Sequence, residues 1–188
     1  MARRAKAPPP PAAPSVRGGY VELGIEGYYT LHAADYRNPH EPAIAACLRG
    51  LVQRRKPNLT RVLDLACGSG EATLALRALG AGFIDGLDPY TGPAYLARCG
   101  QAAESLSFEQ IADGALSGRR WSLIVCSFAL HLLQASRLAG TLTQLALCAP
   151  ELWVLTPHKR PEIRESWGWR LVDEIVVERV RGRAYMSG

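Results

Sequence analysis

Short apolar runs of strand length recur along most of the chain. They lie at residues 62–65, 83–87, 107–111, 121–128 and 152–156, and amphipathic helical patterns at 71–79, 91–99 and 137–148 follow three of them. Runs that are apolar on both faces are typical of parallel strands covered by helices. Residues 170–180 and 183–186 add two further strands joined at a turn. The pattern predicts an α/β fold with a mostly parallel sheet that ends in an antiparallel hairpin.

The first of these strands ends in an acidic residue and a glycine-rich turn. Asp64 precedes Gly68 and Gly70, and a helical pattern begins at Glu71. Glycine has no Cβ, so the backbone can turn sharply here and approach a ligand closely. A dinucleotide site requires a third glycine, and Thr73 stands at that position. The Asp64 carboxylate would also repel a pyrophosphate, so a cationic ligand is favoured and a dinucleotide-dependent oxidoreductase is disfavoured.

The stretch Asp-Leu-Ala-Cys-Gly-Ser-Gly at residues 64–70 resembles motif I of the class I S-adenosylmethionine (SAM)-dependent methyltransferases, in particular their small, type-11-like members. The resemblance covers about residues 58–188. It implies a Rossmann-like, doubly wound sheet of seven strands in the order 3-2-1-4-5-7-6, with the last hairpin antiparallel. It also implies SAM as the cofactor, with its amino acid end held by Asp64, Ala66, Gly68 and Gly70.

Three later positions complete the cofactor site that the resemblance implies. Asp88 follows the second strand at the spacing at which an acid meets ribose hydroxyls, and Pro89 would pack on the adenine. Asp113 would accept the adenine amino group, with the backbone of Gly114 beside it; an ordinary Asp-Gly turn is the alternative. Ser127 ends the fourth strand, and ligands of open parallel sheets bind beyond such ends.

The residues that would act on the methyl acceptor are less clearly marked. Candidates for catalysis are His131, which follows the fourth strand, and Tyr29 and Tyr36 in the aromatic stretch before the core; Tyr28 and His40 are further candidates near the acceptor. Histidine can act as a base near neutral pH, but a histidine at this place can equally serve packing. The chain lacks the Asp/Asn-Pro-Pro-Tyr/Phe sequence of amino methylation and a Pro-Cys nucleophile.

The sequence divides into three segments. Residues 1–19 are basic and rich in proline, so we expect a disordered tail, which could be a targeting signal or a contact for a partner. Residues 20–57 are expected to form a helical segment or lid, and residues 58–188 the methyltransferase core. A basic loop at residues 157–161 follows the fifth strand and either binds an anionic group of the substrate or is simply solvated.

Composition and charge limit the functional classes. No apolar run reaches the ~20 residues that span a bilayer, so no membrane partner is expected. The five cysteines are scattered and form no Cys-x-x-Cys pair, so neither a metal site nor disulfides are expected and an intracellular location is favoured, the cytoplasm over mitochondria. The net charge of +5 is concentrated in the two flanks, which either attract RNA or a ribonucleoprotein or are solvated.

These observations predict SAM-dependent methyl transfer to an acceptor that the sequence does not identify, a small molecule or RNA. The alternative is a catalytically silent methyltransferase-like protein that serves as an assembly or binding factor in a ribonucleoprotein. The basic flanks and the absence of an inserted substrate domain favour this alternative. The intact glycine turn, with Asp64 and Asp88 in place, favours the enzyme.

Overall fold

A computed structural model describes residues 37–188 of the protein, and its six strands form one mixed sheet in the order β2-β1-β3-β4-β6-β5. Strands β1 to β4 are parallel to one another, and β6 runs antiparallel to both β4 and β5. The predicted C-terminal hairpin is thereby confirmed, although its turn lies at Glu178 and Arg179 rather than after residue 180, because residues 180–187 form one continuous strand. The strands are β1 (Arg61–Leu65), β2 (Phe83–Leu87), β3 (Leu123–Ser127), β4 (Glu151–Thr156), β5 (Trp169–Val177) and β6 (Val180–Ser187).

Five α-helices cover the sheet within the described range. They are α1 (Glu41–Arg55), α2 (Glu71–Ala78), α3 (Gly92–Cys99), α4 (Phe108–Ala112) and α5 (Ala135–Ala146), with 3₁₀ turns at Leu130–Leu132 and Glu165–Trp167. Prolines stand in the first turns of α1 and α3, where the missing amide hydrogen costs nothing.

Alternate residues of the strands face two separate hydrophobic cores. On one face, Val62 and Val125 pack with α1 and α2. On the other face, Leu63 and Ile124 pack with α4 and α5, together with Trp169. Successive side chains of a strand point to opposite faces, so both sides of a central parallel strand must be apolar. The doubly wound arrangement predicted from the sequence is therefore present.

The prediction of a seventh strand at residues 107–111 is wrong, because these residues begin helix α4. The Ser107 side chain accepts a hydrogen bond from the Gln110 amide, and the Gln110 side chain accepts one from the Ser107 amide. This capping box satisfies two amides that a helix start leaves unpaired, and it outweighs the alternation of apolar residues. The place of the missing strand is taken by Glu104, which forms a single parallel bridge with Leu87 at the edge of β2.

The segment before the core is described only from residue 37 onward. Its helix α1 packs its buried side, including Ile44 and Leu48, on the sheet and on α2. Tyr28, Tyr29 and Tyr36 lie outside the described residues, so their predicted roles stay predictions, as do the tail and the segment boundaries. None of the helices between residues 37 and 188 is long and apolar enough to cross a membrane.

Candidate functional site

The loops that follow β1, β2 and β3 meet at the C-terminal edge of the sheet and enclose a cavity of about 80 Å³. Five of the predicted binding residues line this cavity: Ala66, Gly68, Asp88, Pro89 and Ser127. Parallel strands end at the same edge of a sheet, which is why residues from three separate parts of the sequence converge here. The other lining residues are Asn38, Cys67, Glu71, Ala72, Tyr90, Phe128, Ala129 and Leu132.

The glycine turn is held in one conformation by its neighbours. The Gly70 amide donates to the Cys67 carbonyl at 2.8 Å, and the Thr91 hydroxyl donates to the Gly68 carbonyl at 2.7 Å. Gly70 has a φ of +92°, and a Cβ at this position would lie 2.2 Å from the Cys99 sulfur. Gly70 therefore packs against Cys99 and does not line the cavity, whereas Gly68 does.

Asp88 connects the turn to the loop after β2. Its Oδ2 accepts a hydrogen bond from the Gly68 amide at 3.1 Å. Its Oδ1 accepts from the amides of Tyr90 at 2.9 Å and Thr91 at 3.0 Å. The carboxylate thus has a structural task in addition to its position on the cavity wall.

Asp64 lies completely buried beneath the turn and does not line the cavity. Its Oδ2 accepts a hydrogen bond from the Thr73 hydroxyl at 2.6 Å, and that hydroxyl lies 3.0 Å from the Tyr95 hydroxyl. Its Oδ1 is buried without a hydrogen-bond partner among residues 37–188. Burial, together with the nearby carboxylates Glu71 and Asp88, raises the pKa of Asp64 to about 7.

Glu71 and Asn38 are cavity residues that the sequence reasoning missed. The Glu71 carboxylate is only 5% exposed. It accepts a hydrogen bond from the backbone amide of Asn38 at 2.9 Å and one from the Ser69 hydroxyl at 2.5 Å. Arg98 lies 3.3 Å from the same oxygen and also pairs with Glu41. An acid directly after the last glycine of the turn was the signal for Glu71. No sequence signal marks Asn38, because its contact with Glu71 joins positions 33 residues apart.

A second cavity of about 350 Å³ adjoins the first and shares Ala66, Pro89, Tyr90 and Leu132 with it. The rest of its wall comes from Leu65, residues 106–109 and residues 133–134. Asp113 and Gly114 line neither cavity; Asp113 lies exposed at the end of α4. Leu106 and Ser107, rather than Asp113, thus line the cavity that Pro89 also lines.

His131 lies on the wall of a third cavity, in the 3₁₀ turn after β3. Its ring makes an edge-on contact with His158, with centroids 5.2 Å apart. Burial and the neighbouring histidine lower the pKa of His131 to about 4, so the side chain is neutral at pH 7. Its Nδ1 is buried and has no hydrogen-bond partner within the described range.

His40 approaches the first cavity from the N-terminal side of helix α1. Its ring stacks on Phe128 at a centroid distance of 4.9 Å. Phe128 lines the first cavity and has a φ of +58°, which is uncommon for a bulky residue. His40 itself does not line the cavity, so its described connection to the site runs through the Phe128 ring.

The described residues contain no group of three or more His, Cys, Asp or Glu side chains positioned to hold a metal ion. All five cysteines are buried and free, and burial raises the pKa of the Cys126 thiol at the end of β3 to about 12. Cys126 is therefore a core residue and not a thiolate nucleophile.

No protein-family model matches the chain. An uncharacterized protein of Schizosaccharomyces pombe is 28% identical to it, over 92% of this chain and 92% of that protein. Among solved structures, magnesium protoporphyrin IX methyltransferase from Synechocystis with bound S-adenosylhomocysteine (SAH) is 15% identical, with a TM-score of 0.61 over 92% of this chain and 98% of that one. The CcbJ methyltransferase from Streptomyces caelestis is 12% identical, with a TM-score of 0.62 over 85% and 96%.

A TehB-like SAM-dependent methyltransferase from Corynebacterium glutamicum is similar to the same degree, with 14% identity and a TM-score of 0.60 over 84% of this chain and 93% of that one. At these identities the likeness concerns the fold. The chain has the fold of the class I SAM-dependent methyltransferases, as its glycine turn predicted. The six-stranded sheet is that fold with one edge strand reduced to a bridge.

Proposed function

We propose that the protein transfers a methyl group from SAM to a small molecule or RNA. The observation that carries this proposal is the charge of the first cavity. Asp88 and Glu71 line it and Asp64 lies beneath it, while its described lining residues include no Lys, Arg or His. Arg98 pairs with Glu71 from outside the lining, so among the described residues Asp88 is the lining carboxylate whose charge no ion pair offsets. A carboxylate-rich wall favours a cationic ligand and repels a pyrophosphate.

The residues around the turn fit the parts of SAM in a consistent order. Ala66 and Gly68 would hold the amino acid end, since their backbone faces the first cavity. Three backbone bonds leave Asp88 about one of the roughly four lone-pair sites of a carboxylate, so it would accept from one ribose hydroxyl. The adenine would occupy the second cavity against Pro89.

The adenine contact proposed from the sequence needs revision. Asp113 would have to reach the second cavity, yet the wall opposite Pro89 is built by Leu106, Ser107 and Phe108. We therefore assign the adenine contacts to this stretch, with Asp113 and Gly114 as the less favoured alternative.

SAM supplies an electrophilic methyl group on a sulfonium, and the residues of the chain would position the two reactants. Such a transfer depends mainly on holding the two reactants in line. Ser127 and Phe128 border the place where the acceptor would meet the cofactor. His131 lines the third cavity rather than the first. It is neutral at pH 7, so it can accept a hydrogen bond from a group in that cavity, but a pKa of about 4 makes it a weak base.

A silent binding factor is the second candidate, and the structure supplies a reason to keep it. The three hydrogen bonds of Asp88 and the bond from Thr73 to Asp64 give both carboxylates a role in the fold itself. Their presence alone therefore does not require a cofactor. Basic flanks would serve such a factor in binding RNA or a ribonucleoprotein.

Calorimetric titration with SAM and SAH, with NADH as a control ligand, tests the proposal. We expect SAM and SAH to bind and NADH not to bind. Gly68→Arg should abolish binding because its side chain would fill the first cavity, and Ser107→Trp should weaken it more than Asp113→Asn. Absence of SAM binding to the folded protein would contradict the enzyme and favour the silent factor.

A further inference from the structure

The third cavity has a volume of about 470 Å³ and lies at the same edge of the sheet as the other two. Its floor is apolar and includes Leu130, Leu138 and Trp167. Its rim carries Arg160 and Arg164 from the segment after β4. Leu133 lines both this cavity and the second one, and Leu130 directly follows Ala129, which lines the first, so the third cavity adjoins both.

The backbone of the rim is fixed by a buried arginine. The Arg183 guanidinium donates to the carbonyls of Lys159 at 2.7 Å and Pro161 at 3.1 Å. The Thr156 hydroxyl donates to the Arg160 carbonyl at 3.3 Å. A loop held at three successive residues presents its side chains from a defined position, which lowers the entropy cost of binding.

No acidic side chain of the described residues neutralises the two arginines of this rim. Neither Arg160 nor Arg164 forms an ion pair with any residue between 37 and 188. The Arg164 guanidinium lies 5.5 Å from the centroid of the Trp167 ring, so it is placed against the apolar floor. Arginine donors in this setting are suited to a carboxylate, which accepts two parallel hydrogen bonds.

The net charge of the residues that line the third cavity indicates which anions it can bind. Its lining carries two arginines and one acid, Glu162, and His131 is neutral at pH 7. The net charge of the wall is thus close to that of one cation, which matches a monoanion better than a phosphate chain. The apolar floor matches a ligand with a hydrophobic or aromatic body.

We propose that the third cavity is the acceptor site and that the methyl acceptor is a small apolar or aromatic acid with a single carboxylate. Arg160 and Arg164 bind the carboxylate, and Leu130, Leu138 and Trp167 hold the body. The acceptor role rests on the proposed function, because the adjacent cavities would hold SAM. It narrows the acceptor from small molecule or RNA to one chemical class.

Binding of 2-naphthoate, with the uncharged 2-naphthamide beside it, tests the site by calorimetry on the full chain. We expect naphthoate to bind and the amide to bind more weakly. In the double variant Arg160→Met/Arg164→Met the naphthoate affinity should fall about 10- to 100-fold, the equivalent of one or more charge-assisted hydrogen bonds. Arg170→Met, an exposed arginine on β5, is the matched control and should leave it unchanged.

Three results would overturn the site: no binding of naphthoate, equal binding of acid and amide, or equal affinity in the double variant and the control. If single-stranded RNA displaces naphthoate and its binding depends on the same two arginines, the ligand of this cavity is a polyanion and the proposed small acid is wrong. The SAM titration separates the two proposals. If SAM binds and naphthoate does not, the acceptor class is wrong and the enzyme stands. If naphthoate binds and SAM does not, the cavity is a ligand site but not an acceptor site.

Discussion

The Gly68 amide lies 3.1 Å from Oδ2 of Asp88, and this hydrogen bond joins the glycine turn after β1 to the loop after β2. The two residues are 20 positions apart in sequence and line the same cavity. A single carboxylate therefore fixes the shape of the cavity and forms part of its surface. Any change at Asp88 will affect the fold and the cofactor together, and experiments must separate the two effects.

Asp88→Asn should lower the free energy of unfolding by about 1–3 kcal/mol. The amide has one acceptor oxygen, which can serve Tyr90 and Thr91 or Gly68 but not both sides, so a buried N–H loses its partner. Urea unfolding measures the loss. Asp113→Asn is the control, because Asp113 is exposed and should change stability by less than about 0.5 kcal/mol. Equal stability of the two variants would show that the three bonds do not hold the loops.

Gly70→Ala should be more destabilising than Gly80→Ala. Both glycines have φ near +90°, so both variants carry the strain of a left-handed alanine, about 1–2 kcal/mol. Only at Gly70 does the new methyl meet the Cys99 sulfur; nothing lies within 4 Å of it at Gly80. The steric part should add about 1–3 kcal/mol. Urea unfolding of both variants and of Gly70→Ala/Cys99→Ala tests this, since removing the sulfur should restore part of the loss.

The fold was largely accessible from the sequence because its signals are local. The turn at Asp64 to Gly70, the apolar strands and the final hairpin each show in a few consecutive residues. The strand predicted at residues 107–111 is wrong because two local signals compete there, and the capping box of Ser107 and Gln110 outweighs the alternation of apolar residues. Five predicted binding residues line the first cavity, although their ligand contacts remain predictions.

Contacts between residues far apart in the chain could not be predicted from the sequence. The bond from Asn38 to Glu71 and the bonds from Arg183 to the loop after β4 join residues 33 and more than 20 positions apart. No spacing rule connects such residues, because they meet only when the sheet and its helices are assembled. The exposed position of Asp113 has the same origin, since it follows from α4 replacing a strand.

Asp64 should make the stability of the protein depend on pH. Its pKa is about 7 in the folded state against an ordinary value of 3.8, so the folded state holds the proton more tightly. The stabilisation is present at low pH and is lost as the pH rises from about 4 to 7. Between pH 5 and 8 the free energy of unfolding should fall by about 2–3 kcal/mol relative to Asp64→Asn, which cannot ionise. Urea unfolding of both proteins at several pH values measures this difference, and parallel pH curves would contradict it.

The rim of the third cavity depends on Arg183, which is 8% exposed and donates to Glu174 as well as to the Lys159 and Pro161 carbonyls. Lysine keeps the charge but lacks the planar fork, so Arg183→Lys should free one or both carbonyls and cost about 1–3 kcal/mol. Hydrogen exchange should become faster at the His158 amide, which donates to the Thr156 hydroxyl at the start of this loop, and naphthoate should bind more weakly. Arg181→Lys is the matched control, because Arg181 pairs with the same Glu174 and has no bond to this loop. Faster exchange in both variants would mean that the hairpin as a whole, rather than the Arg183 bonds, holds the rim.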